Sequence, residues 1–521
     1  MPAGKHQLSN FLLLIMALSV MLEVCRVHGC WTGSGSKCEA DFVPGHNLAG
    51  EGFDVVQMRR TRAYVINVKA HLAENRTCTL CRNRFQNRQV QKLPAGVVDW
   101  RAFRLCKKRL SSNLYHSVDS LLRGSNSLVN NNWNVELGFV SVGTGALGGS
   151  KSELANFARS QHSGEKATFA TSEISCTFYS YRLADHPQLS TEFKKHLNQL
   201  PPSLNTSQDR VEYRHLIDIY GTHYIRQVQL GGKVKRITAF RTCLATLNAY
   251  SGSKISKCLN FELKMALGFN RAKASLSNTC ENILKGSASM SMGSYQAFMT
   301  QKTEVIGGWS NTSDIFHQQD PSEAWRSWMN SLHDKPDVVS YAILPLHRLV
   351  DDSLISDNLK SIVTDYIKEN QLHPASKSCS PTPNLDRNCC PLRAGRGILR
   401  LVIQRATGLN SDPISETDAY VKIFYKGRYE ETRMVLNDNN PVWYALYDFG
   451  YVDWGTAMTL EVWDKDVCYD DKVGTCFLYP EKGTHYGASQ LSEGVLYYTY
   501  TVTCDAHLTG FRCESYSPNA E

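Results

Sequence analysis

Beyond its first 29 residues the chain has no run of about eighteen consecutive apolar residues, so its sequence offers no helix long and apolar enough to cross a bilayer. It has no Gly-x-Ser-x-Gly elbow, which argues against a lipase with a serine nucleophile on a strand-to-helix turn. Its glycine-rich stretch, Gly143-Thr-Gly-Ala-Leu-Gly-Gly-Ser150, matches neither Gly-x-Gly-x-x-Gly nor the Walker pattern ending in Gly-Lys-Ser/Thr, and so argues against nucleotide binding. The formal charge is +8 but no dense basic run exists, which favours an anionic membrane over nucleic acid as partner. Cys78-Thr-Leu-Cys81 has no companion pair at ligand spacing, which argues against zinc.

What is present points to a secreted, disulfide-bonded chain of two or three modules, since 521 residues exceed a single core. Residues 1–29, with Lys5, His6, an apolar run from Phe11 to Leu22 and small residues near Gly29, read as a signal peptide. Of seventeen cysteines, Cys25 leaves with that segment, and an even number in an oxidising compartment implies disulfides. Short loops favour pairing Cys504 with Cys513 and Cys468 with Cys476; Cys30, Cys38, Cys78 and Cys81 are expected to pair among themselves, and Cys106 and Cys176 are further candidates. Asn75, Asn205 and Asn311 begin glycosylation sequons.

Tyr213-Arg-His-Leu-Ile-Asp-Ile-Tyr220-Gly-Thr-His-Tyr224 starts with helical spacing (Leu216, Ile217, Tyr220), and Ile225-Arg-Gln-Val-Gln-Leu230-Gly231-Gly232 continues as a strand. Tyr213, Tyr220, Gly221, Thr222, His223 and Tyr224, with Gly231 and Gly232 as a bend signal, resemble the signature of the membrane-attack-complex/perforin (MACPF) family. No nucleophile or second metal ligand accompanies His223 at useful spacing, so the motif reads as a core element and the chain as no enzyme. The resemblance implies an α+β fold, a MACPF domain over 30–373 with a bent central antiparallel sheet flanked by two helical insertions. In that family the inserts refold into membrane-crossing β-hairpins.

The two inserts read here as 143–170 and 259–299. In the first, Ser152 is placed to cap a helix that turns Leu154, Phe157 and Ala158 inward, and a strand follows over 168–181. In the second, Leu259, Phe261, Leu263, Met265, Leu267 and Phe269 alternate with polar or small residues, the pattern of an amphipathic strand. Without a transmembrane helix, a closed barrel of strands about nine to eleven residues long is the other structure that satisfies its backbone in lipid. No sequon falls in 143–168 or 259–299. Strands are also expected at 53–58, 64–68 and 132–142, a disulfide-tied loop at 75–81, and mainly helix over 322–370.

Residues 374–396 form a Pro- and Ser-rich linker with Cys379, Cys389 and Cys390, too few for the epidermal-growth-factor-like module that the family carries there. Residues 397–503 change to short strands, and the layout Gly408-Leu-x-x-Asp412, Asp418-Ala-Tyr-Val-Lys, Asn440-Pro-Val-Trp443, Trp463-Asp464-Lys-Asp466 and Asp471-x-x-Gly474 resembles a C2 domain, an all-β sandwich; 504–521 is a tail. By motif, Asp412, Asp418, Asp464, Asp466 and Asp471 would ligate Ca2+, with Asp470 an extra carboxylate, because calcium takes hard oxygens from a flexible cage. Ile414, Val467 and Tyr469 are the expected lipid contacts. The function expected from the resemblance is a calcium-dependent pore-forming cytolysin, carried through acidic secretory granules, that docks on a target phospholipid membrane and assembles as a homo-oligomer. The alternative is a calcium-dependent lipid-binding or adhesion protein that never inserts.

Overall fold

The computed structural model describes residues 29–109, 114–125, 128–139, 147–162, 166–266, 278–285, 298–309, 321–372, 383–410 and 415–518. Asp412, Ile414 and Asn311, the Gly143–Ala146 part of the first insert and 267–277 and 286–297 of the second lie outside them. The amino-terminal part contains β1 (Cys30–Ser34), β2 (Glu51–Asp54), β3 (Arg59–Tyr64), β4 (Thr77–Asn83), β5 (Gln89–Lys92), β6 (Val97–Arg109), β7 (Leu114–Tyr115), β8 (Ala167–Leu183), β9 (His223–Arg241), β10 (Met299–Ile306) and β11 (Asp337–Pro345). Its helices are α1 (Val118–Ser125), α2 (Glu153–His162), α3 (Thr191–Asn198), α4 (Ser207–Tyr220), α5 (Thr242–Leu247), α6 (Gly252–Ala266), α7 (Asn278–Lys285), α8 (Pro321–Ser331) and α9 (Ser353–Glu369).

The architecture is the expected mixture of helices and antiparallel sheet. The central sheet runs β3-β2-β9-β8-β6, with β10 and β11 also on β9 and β7 on β8. Its longest strand, β9, changes partner midway. From His223 to Gly231 it pairs with β11, and from Lys233 to Phe240 with β10. The change falls at Gly231-Gly232, where side chains do not fit: a Cβ on Gly232 would come within 2.5 Å of Leu332 and 2.6 Å of Trp328.

Beyond this bend the sheet is covered on both sides. Leu121 of α1 and Ala158 of α2 share a buried cluster with Phe169 and Ala239, whereas Ile255, Cys258 and Leu259 of α6 and Ile283 of α7 share another with Ala170 and Phe240. Phe169 and Ala170 are neighbours in one strand, as are Ala239 and Phe240 in the next, so the clusters occupy opposite faces of the same two strands.

The carboxyl-terminal sandwich consists of β12 (Gly397–Thr407), β13 (Ala419–Tyr425), β14 (Arg428–Glu431), β15 (Val442–Tyr451), β16 (Met458–Asp464), β17 (Asp471–Leu478), β18 (Gly483–Gln490) and β19 (Val495–Cys504). They form sheets β15-β12-β19-β18 and β14-β13-β16-β17. Leu399, Leu401 and Ile403 face Val421, Ile423, Leu460 and Val462 in a core that follows the period-two alternation of each strand. A disulfide joins Cys243 of α5 to Cys390 of the linker, and Leu247 packs against Cys504, Leu508 and Cys513 of the tail.

Several local expectations are corrected. Residues 132–139 turn through a short 3-10 helix at Val135–Leu137 instead of forming a strand, because Trp133, Leu137 and Phe139 are buried while Val135 is exposed and Gly138 adopts positive φ. The segment 75–81 is not a loop: β4 pairs with β1, and Cys30–Cys81 and Cys38–Cys78 pin that ladder. The strand expected at 64–68 ends at Tyr64, and within 322–370 residues Asp337–Pro345 are strand β11, drawn onto β9. Leu259–Met265 belongs to helix α6. Cys106–Cys176 and Cys504–Cys513 are bonded, whereas Cys468 and Cys476 are free thiols: Cys476 is buried inside β17 opposite Leu460, and Cys468 is exposed in the preceding loop.

Candidate functional site

The signature forms the joint between helix and sheet. Thr206 and Asp209 cap α4 reciprocally, and Tyr213, Leu216, Ile217 and Tyr220 form its buried face. The Tyr213 hydroxyl donates to the Pro201 carbonyl at 2.8 Å, and the Tyr220 hydroxyl lies 2.9 Å from His196 Nδ1. Gly221 ends the helix with φ 76°, and a Cβ there would come within 2.6 Å of the Phe53 carbonyl, so only glycine lets the chain pass β2. The Thr222 hydroxyl donates to Phe53 O and accepts from Val55 N, both at 3.2 Å. Tyr224, buried, pairs with Leu344 on β11 and with Gly52 on β2.

His223 is fully buried, with Nδ1 2.8 Å from the Thr222 hydroxyl and its ring edge-on to Trp133. Burial first, and the nearby His347 second, depress its pKa to about 3. His347, at the end of β11, is lowered to about 4 by burial, then by Lys360 and Arg348. Two neutral imidazoles inside a core are a structural device here: the Thr222 hydroxyl beside His223 is itself buried and committed to Phe53 O and Val55 N.

At the tip of the sandwich the ladder gathers carboxylates. Asp464 ends β16 between Ala419, which Asp418 precedes, and Asp471, which starts β17. Asp464 is 2% exposed, and its Oδ1 accepts the backbone N–H of Asp418 at 2.7 Å. An Asp418 carboxylate oxygen accepts from Asn437 N at 2.7 Å. Asp466 lies in the loop that follows. Asp470 accepts from the Tyr420 hydroxyl at 2.6 Å and from Lys465 at 2.9 Å; these two bonds hold its pKa below the usual carboxylate range. Among the described residues no three His, Cys, Asp or Glu side chains converge closely enough to hold a metal ion. By donor chemistry alone, the carboxylate oxygens of Asp418, Asp464, Asp466 and Asp471 suit a hard divalent cation better than zinc. On the same loop as Asp466, Val467 is 104% and Tyr469 86% exposed.

The inserts meet the sheet through ion pairs. Glu153 of α2 binds Lys302 of β10 at 2.9 Å, and this bond lowers the Glu153 pKa. Glu262 of α6 pairs with Arg236 of β9 at 3.3 Å and accepts from Gln301 of β10 at 3.2 Å. Gln301 and Lys302 are consecutive in β10, so the two glutamates grip opposite faces of one strand. A cavity of about 400 Å³ under α2 is lined by Lys235, Ile237, Lys302 and Glu304 of the sheet. In that row Lys235 lies between Glu173 and Glu304, and burial lowers its pKa.

Sequence reasoning missed Glu153, Glu262 and Arg236, because isolated charges on helices and strands carry no motif. It also missed the Cys258–Cys280 and Cys243–Cys390 bonds, whose long-range pairing has no local signal. Asn75 and Asn205 are exposed, with Asn75 Oδ1 accepting from both the amide and the hydroxyl of Thr77.

Comparison with known proteins matches a MAC/Perforin domain to residues 43–375 and a C2 domain to 397–490. Perforin-1 of Rattus norvegicus and Perforin-1 of Homo sapiens are each 32% identical to this chain over 97% of its length and 96% of theirs. A solved C2 domain is 35% identical, aligning to 20% of this chain and 97% of its own with a TM-score of 0.20.

Proposed function

The chain belongs to the MAC/perforin family, and from that membership we propose that it is a secreted, calcium-dependent pore-forming cytolysin rather than an enzyme. Its C2 module docks on a target membrane, its MACPF domains associate as a homo-oligomer, and both inserts leave the sheet as β-hairpins to build a transmembrane barrel. The observation that carries this reading is the placement of two helical clusters on opposite faces of the paired strands β8 and β9, each cluster continuous in sequence with the strand end it covers. A soluble sheet that only bound lipid would have no use for two detachable covers on the same strand ends.

Within the C2 module, Asp418, Asp464, Asp466 and Asp471, with Asp412, would hold calcium, whose charge bridges the acidic tip to anionic headgroups. The protein supplies the rest: Asp464 is pinned by the Asp418 amide, and Val467 and Tyr469 enter the interfacial layer beside the ion. Protons compete for the same oxygens, so storage in an acidic granule would keep the loops unloaded until release. Replacing Asp464 and Asp466 together with Asn should remove both binding to anionic liposomes and dye release at millimolar calcium. Binding that survives the double change would place membrane contact elsewhere, and binding without release in the unaltered protein would favour the lipid-binding alternative.

A further inference from the structure

Independently of the pore-forming reading, we propose that the groove between β4 and β6 binds the sulfate groups of a soluble polysaccharide. A cavity of about 840 Å³ opens there, large enough for a small ligand. Arg82 and Arg84 reach it from the end of β4, Trp100 and Arg101 from β6, and Leu93 and Val97 supply apolar wall. An irregularity in β6 shapes this wall. Between the pairs Val98–Arg182 and Arg101–Ser180, three steps along β6 oppose two along β8, and Asp99 takes a positive φ of 54°. Such a bulge breaks the alternation that sends consecutive side chains to opposite faces, and Trp100 and Arg101 both line the cavity.

The three guanidinium groups enter no ion pair among the described residues. Arg82 rests over the Trp31 ring at 5.8 Å and Arg84 over Phe85 at 4.9 Å, contacts that orient each group and use none of its N–H donors. The carboxylate in the lining, Asp99, is bound to Arg182 at 2.6 Å, so the cavity keeps a surplus of positive charge. Exposed Arg104 and Lys107 continue that charge along β6, which ends the central sheet. A chain carrying several anions can therefore run from the cavity along the strand. Arginine forks offer paired donors to the oxygens of a sulfate or phosphate ester, and the half-buried Trp100 ring offers a flat apolar face to the C–H groups of a sugar. A phospholipid headgroup shares the oxyanion chemistry, but the cavity stands at the wrong end of the 17-residue strand β8. Val97 pairs with Leu183 at one end, whereas Lys166, beside the other, contacts Cys389 of the linker to the sandwich. For a disulfide-bonded, secreted chain the polyanion in reach is a sulfated glycan rather than a nucleic acid.

The test titrates sucrose octasulfate into the full-length, disulfide-bonded protein by calorimetry, without calcium and at about 0.1 M salt. Binding should saturate at one site, and unsulfated sucrose should give none. Arg82→Gln/Arg101→Gln should weaken it about thirtyfold and Trp100→Leu about fivefold. Lys194→Gln/Lys195→Gln, an equal loss of charge at exposed positions on α3, should change it less than twofold. A sulfated dodecasaccharide should bind more tightly than the sucrose ester, and Arg104→Gln/Lys107→Gln should remove that advantage. Absence of saturable binding, or full affinity in the arginine variant, overturns the site. An equal loss in the α3 variant also overturns it, because binding would then follow the overall charge of +8. Vesicles carrying a phosphoinositide, or a single-stranded oligonucleotide, that bind more tightly than the dodecasaccharide and depend on Arg82 and Arg101 overturn the choice of glycan. If the arginine variant does not fold, phenylglyoxal labelling of the unaltered protein decides: the octasulfate should slow modification of Arg82 and Arg101 about fivefold, and unchanged labelling overturns the proposal.

Discussion

The two inserts cover the same pair of strands from opposite sides, yet they are held by different chemistry. The first is tied by Glu153 and Lys302, where the glutamate is 90% exposed, and its clusters contain no cysteine among the described residues. The second is tied by Arg236 and Glu262, more enclosed, by the Cys258–Cys280 bond within it and by Cys243–Cys390 at its root. An exposed ion pair contributes about 0 to 1 kcal/mol, whereas losing one partner of a buried pair costs several. In the proposed pore-forming step the first insert is therefore the more weakly tethered of the two.

The most severe way to break this comparison is to forbid detachment. Cysteines at Ala158 and Ala239, which share a buried cluster, or at Leu259 and Ala170, which share the other, should permit liposome binding but abolish dye release until reduced. Release from either oxidised lock would show that its insert stays put during pore formation. Single substitutions grade the difference. Glu262→Gln should lower the free energy for opening α6 by about 2 kcal/mol, read by amide hydrogen exchange. Glu153→Gln should change the opening of α2 by about 0.5 kcal/mol or less. Equal effects would erase the distinction between the two tethers.

Acid also acts on the anchored end of β9. His223 and His347 have folded pKa values of about 3 and about 4, below the ordinary 6.5. The unfolded chain therefore binds more protons through this window. Stability is full above about pH 6.5 and falls as pH drops toward 4, by about 1 kcal/mol per pH unit for each histidine. Thermal melts from pH 7.5 to 4.5 should show this slope, and His347→Gln should flatten it. Melting temperatures that hold steady across the range would contradict it.

The sandwich was legible because its strands are short, alternate strictly and bury every second residue, as at Leu399, Leu401 and Ile403. The junction at Tyr220 and Gly221 was legible because helical spacing gives way to alternation at a glycine. The second insert was harder, since two patterns are written over one another. Ile255, Cys258, Leu259 and Leu263 are spaced for a helix face and are buried, while Leu259, Phe261, Leu263 and Met265 are spaced for a strand. In the helix Phe261 and Met265 are left partly or largely outside the core. The misreading of 132–139 has a related cause: Trp133, Leu137 and Phe139 are buried by a turn that mimics alternation. Strand β11 was lost among helices because its pairing to β9 depends on residues more than a hundred positions away.

The bond between Cys243 and Cys390 acts as a mechanical linkage. Cys243 lies two residues beyond the end of β9, and Cys390 in the segment leading to the sandwich, so the strand end and the sandwich share one fixed point. If β9 lengthens past Arg241, it must either carry that point with it or pivot about it. Under the proposed docking, force borne by the sandwich would be delivered to the root of the second insert rather than dissipated along a slack connector. In that proposed assembly, the tilt of the sandwich on the bilayer would be a geometric input to the angle at which the growing strands are aimed.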